Sequence, residues 1–61
     1  MTESFEKLCL YRTAWSPLWE EYVEIRKVVR DEHDRPIILA CVPSVDRVCL
    51  FRAEELTNYV L

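Results

Sequence analysis

The chain has 61 residues, 51% of them apolar and 31% charged, with a net charge of −3 and no glycine. Phosphate-cradling loops of the P-loop or dinucleotide type are built on glycines, so those nucleotide sites are excluded in their usual form; the longest apolar run, Ile37 to Pro43, is far shorter than the roughly 18 residues needed to span a bilayer as a helix. A lone core of this size barely offsets the entropy cost of folding, and small domains that manage it add disulfides, a metal or a partner subunit.

In chain order, Thr2 or Ser4 can cap a first helix. Phe5, Leu8, Cys9 and Arg12 recur at helical spacing behind it, and the alternation of Leu8, Leu10 and Arg12 offers a strand as the competing reading. Residues 16 to 30 are ambiguous. Ser16-Pro17 with Glu20 and Glu21 makes a good helix start, with Leu18, Tyr22, Ile25 and Val29 on one face, and the rival reading is a helix over residues 17–33. Tyr22 to Val29 is nevertheless rich in β-branched and aromatic residues and alternates over its first half. The polar break Asp31 to Pro36 and the apolar run Ile37 to Val42 tip the reading to strand, turn, strand, with the first strand at 22–30.

Pro43 to Asp46 reads as the next turn and Arg47 to Arg52 as the third strand. Ala53 to Val60 reads as a short closing helix with Glu54 and Glu55 at the positive end of its dipole. A single helix from Ser44 onward ranks second because Val48 to Phe51 is rich in strand formers. The expected architecture is α+β: one compact domain over residues 1–61, a three-stranded antiparallel meander with short N- and C-terminal helices in the order α-β-β-β-α.

Such a sheet is apolar on both faces, since Ile37, Leu39 and Cys41 alternate with Ile38, Ala40 and Val42, and Val48 and Leu50 with Cys49 and Phe51. Two short helices cover one face. The other calls for a companion chain, unless the N-terminal segment wraps beneath it. Trp15 and Trp19 around Pro17, with Tyr22 behind, fit either a core or an interface anchor.

Three cysteines, Cys9, Cys41 and Cys49, cannot all pair within one chain, and no charged-then-apolar leader stands at Met1, so a reducing, cytoplasmic setting is expected. With His33 they complete a Cys₃His set, but the closest pair, Cys41 and Cys49, is eight residues apart, unlike the tight knuckles of structural zinc sites. The expectation is no metal and no cofactor, with the cysteines acting as small apolar residues. Serine or cysteine nucleophile chemistry requires a base, an orienting group and an oxyanion hole, and the lone histidine lies in the polar run Asp31 to Arg35. Adjacent carboxylates such as Glu20 with Glu21 point in different directions, so no enzyme is expected.

Arg26, Lys27 and Arg30 form the densest basic group and make nucleic-acid binding the alternative function. Charge argues against it, because 11 acids face 8 bases over the whole chain. The sequence therefore points to a small non-enzymatic protein-interaction module, a regulator, inhibitor or accessory subunit of a larger partner. Self-association as a homodimer and no membrane contact are expected with it. Partner-binding residues are expected at Ile38, Val42 and Phe51 on the sheet, Trp15, Trp19 and Tyr22 as anchors, and Arg26 and Arg30 as rim charges.

Overall fold

The computed structural model describes residues 4–61. It contains five antiparallel strands, one helical turn and one 3-10 turn. Helix α1 spans Phe5–Leu8, and strands β1 to β5 span Thr13–Ser16, Glu21–Arg30, Pro36–Val42, Arg47–Arg52 and Thr57–Val60; Ala53–Glu55 forms the 3-10 turn. Strand order in the sheet is β4-β3-β2-β1-β5. The expected three-stranded meander flanked by two helices is thus replaced by a five-stranded sheet, and the difference lies at the two ends of the chain.

At the N-terminal end, Ser4 caps α1, its hydroxyl accepting the Lys7 N–H at 3.3 Å. The alternative cap, Thr2, lies outside the described residues. The helix stops after one turn because Thr13 to Ser16 are drawn into the sheet. β1 gives little signal in sequence: its inward residues are the small Ala14 and Ser16, both fully buried, so no strong apolar period marks it. At the C-terminal end, Thr57, Tyr59 and Val60 are strand formers, and a helix of eight residues has little stability of its own. Pairing with the open side of β1 satisfies their backbone instead. Asn58, at φ 50°, absorbs the register shift in that pairing.

The rival helix over 17–33 is also absent, its residues forming the β1–β2 loop, β2 and part of the β2–β3 loop, and β2 carries a bulge. Ile25 pairs with Ala40 but Lys27 pairs with Leu39, so two steps on β2 oppose one on β3. The extra residue flips the alternation, and Ile25 and Val28 come to face the same side three positions apart. The same bulge bends β2 where its pairing passes from β1 to β3.

Bending is required by the connections. Strands β4 and β5 lie on opposite edges, which in a flat sheet would be about 19 Å apart across four inter-strand spacings. Only residues 53 to 56 join them, three of them in a compact 3-10 turn of about 2 Å rise per residue. The sheet therefore rolls, and its shortest principal extent of 17 Å exceeds the roughly 10 Å spacing of one packed layer. Its concave side holds Ala14, Val23, Val28, Ile38, Ala40, Val42 and Phe51, closed by Leu8 from α1 and by Ala53 and Leu56 from the last connection. The Tyr59 hydroxyl donates to the Ala53 carbonyl at 2.6 Å and ties that connection to β5.

A chain without glycine must turn on other residues. Glu20, Asp34 and Asp46, one in each hairpin loop, take positive φ of 55°, 62° and 52°. Aspartate tolerates this region better than most residues, whereas glutamate there carries about 1–2 kcal/mol of steric cost.

Candidate interaction surface

Cross-strand register sorts every sheet residue onto one of two faces, because directly opposed residues point the same way. On the concave face Ile38 opposes Phe51 and Ala40 opposes Cys49; on the convex face Ile37 opposes Arg52, Leu39 opposes Leu50 and Cys41 opposes Val48. The convex side continues through Glu24, opposite Cys41, to Tyr22, opposite Trp15.

Three of the residues expected at an interface are therefore core. Ile38 and Val42 are 0% exposed and Phe51 4%. The roll of the sheet, not a second chain, covers them, so they are inaccessible to a partner of the folded protein. Their neighbours one position away take the outward side: Leu50 is 67% exposed and Val48 55%, with Leu39 and Cys41 half-buried beside them. Sequence alternation identified two apolar faces but offered nothing to say which would be covered. The signal that separates them is the pairing partner of each strand end.

The aromatic trio is brought together only in part. Trp15 and Tyr22 stack edge to face on the convex side, ring centroids 5.2 Å apart, and Tyr22 is exposed. Trp19 lies in the β1–β2 loop. There the buried Ser16 hydroxyl accepts the Trp19 N–H at 3.2 Å and the Ser16 carbonyl accepts the Glu20 N–H at 2.7 Å. Trp19 walls an open groove of about 380 Å³ with Val45, Arg47 and Cys49. Glu21 braces the same end of the molecule, its carboxylate accepting the Ser44 N–H at 3.2 Å, which links the β1–β2 and β3–β4 loops.

The basic residues do not form one patch. Arg26 pairs with Glu24 at 3.1 Å, while Arg30 pairs with Asp34 at 3.4 Å and lays its guanidinium 4.2 Å over the Phe5 ring. Those exposed pairs are individually weak, but they neutralise the charge a phosphate backbone would need.

At the opposite end, Asp31 organises the β2–β3 loop. Its Oδ1 accepts the Arg35 N–H at 2.8 Å and the His33 N–H at 2.9 Å, and Oδ2 accepts from Arg52 Nη1 at 2.6 Å. The Arg35 backbone bond first, then the Arg52 guanidinium and the His33 amide, hold its carboxyl well below the usual carboxylate range. Both oxygens of the carboxylate are engaged, which makes this cluster a brace between the loop and the end of β4.

His33 is exposed in that loop. Cys9, Cys41 and Cys49 are free thiols, and although Cys41 and Cys49 lie on neighbouring strands they face opposite sides of the sheet. Among the described residues, no three histidines, cysteines or acids gather at metal-binding distance, and no helix is long and apolar enough to cross a membrane. The chain matches no family model, no curated protein and no solved structure at a significant level.

Proposed function

We propose that this protein is a non-enzymatic interaction module, working in the cytoplasm as a regulator or accessory subunit that masks a surface of a larger protein. The convex sheet face carries the reading: Val48 and Leu50 stand exposed on the edge strand β4 beside the half-buried Leu39 and Cys41, and the Trp15–Tyr22 pair lies on the same face beyond Glu24. Large apolar side chains exposed together on one face mark interaction sites, and aromatic residues are enriched at interface centres. Free thiols on both faces suit a reducing compartment.

Affinity isolation from the cells that make the protein tests this. A partner recovered with the wild type should be lost with Leu50→Lys and kept with Leu18→Lys, which changes a still more exposed leucine in the β1–β2 loop. Recovery of the same set of proteins by all three chains would overturn the reading.

A further inference from the structure

The side of the sheet opposite Val48 and Leu50 is not sealed along its whole length. Arg47 opposes the fully buried Val42 and Cys49 opposes the fully buried Ala40, so both belong to the concave side. Yet Cys49 is only half-buried and Arg47 is exposed, because the core gives out at the end of the molecule where the β1–β2 and β3–β4 loops meet. Trp19 from the first loop and Val45 from the second complete the walls of the groove there. The Glu21 carboxylate, accepting the Ser44 N–H, ties the two loops together.

At about 380 Å³ the groove falls at the small end of the ~300–1,000 Å³ range of ligand pockets, room for a molecule of one or two rings. Its lining joins an indole, an aliphatic side chain and a thiol to one charged group, the Arg47 guanidinium. Arg26, Arg30, Arg35 and Arg52 each have a carboxylate partner, whereas Arg47 makes no ion pair among the described residues.

We propose that this groove binds a small monocarboxylate with a flat apolar body, its ring against Trp19 and Val45 and its carboxylate on Arg47. A guanidinium presents a planar fork of donors that a carboxylate matches with two parallel hydrogen bonds, and a neutral apolar ligand would leave that fork unused. Anions of higher charge are disfavoured by the acids at the same end of the molecule. Glu20, Glu21 and Asp46 set three negative charges near one positive, so each further charge on a ligand adds repulsion. The site lies across the sheet from Leu50, and it stands or falls apart from the partner-docking reading.

The full chain, labelled with ¹⁵N, is titrated near neutral pH with naphthoate, with its neutral isostere naphthamide and with the dianion naphthyl phosphate. Ligands of this size reach a dissociation constant of about 1 mM in an open site, so each titration runs to about 10 mM. Naphthoate should give saturable shifts at the Trp19 indole N–H and at the Val45, Arg47 and Cys49 amides. Naphthamide should bind at least about tenfold more weakly, the usual loss when a hydrogen bond to a charged group is forgone, and naphthyl phosphate should also be weaker than naphthoate. Arg47→Gln should weaken naphthoate by a similar factor, while Arg26→Gln, which removes the same charge elsewhere, should leave it unchanged. Absence of shifts with naphthoate would overturn the proposal. Equal binding of acid and amide by the wild type, or undiminished binding by Arg47→Gln, would overturn the carboxylate anchor, and tighter binding of the phosphate would overturn the choice of a monoanion.

Discussion

On β3, Ile38, Ala40 and Val42 alternate with Ile37, Leu39 and Cys41, and the two sets are chemically close to interchangeable. One is sealed beneath the rolled sheet and the other lies on its convex side. What separates them is which way the sheet curls, and that is set outside β3's own sequence, by the bulge on the neighbouring β2 and the four-residue connection from β4 to β5. A concave residue holds the fold together, whereas a convex residue of the same type is available to a partner. Substitutions on the two faces should therefore separate stability from association.

The largest effect is expected on the concave side. Ile38→Ala should lose about 2–5 kcal/mol, a large share of the roughly 3–9 kcal/mol available to a chain of this length, and chemical denaturation would show an unfolding midpoint moved sharply down. Next comes the brace at the loop end. The Asp31 carboxyl is held below its usual value of 3.8 by hydrogen bonds that exist only in the folded state. Its contribution is therefore complete above about pH 5 and is lost as pH falls below the unfolded value toward the folded one. Thermal unfolding from pH 6 to pH 2 should show an acid-side decline that Asp31→Asn flattens, with the variant less stable than the wild type at pH 6.

A smaller change of opposite sign is expected at the β1–β2 loop. Glu20→Gly removes the steric cost of φ 55° and should stabilise the chain by about 0.5–1 kcal/mol, after allowance for the added freedom of the unfolded state. Smallest of all is the convex substitution. Leu50→Lys should change stability by no more than about 0.5 kcal/mol, because the side chain is already in water.

The same contrast explains how much could be read in advance. The three longest strands are marked by β-branched runs and by Asp- and Pro-containing turns, and they fall at β2, β3 and β4 within a residue or two. β1 and β5 could not be read that way, since each is four residues long and is held in the sheet by its neighbours, β1 between β2 and β5, and β5 against β1 alone. Residues 53 to 60 carry a real helical spacing that long-range pairing overrides. Ile38, Val42 and Phe51 were legible as apolar sheet residues but not as inward ones, because periodicity fixes which residues share a face and leaves open which face is covered. Trp15 and Tyr22 were legible as neighbours in composition; their edge-to-face contact depends on the β1–β2 register.

The most direct test of the open convex face is fluorescence of an apolar dye titrated into the wild type and Leu50→Lys, with unfolding midpoints measured on the same samples. The account predicts dye binding by the wild type, clear loss of it in the variant, and matching midpoints. Equal fluorescence from the two proteins, or none from the wild type, would contradict it.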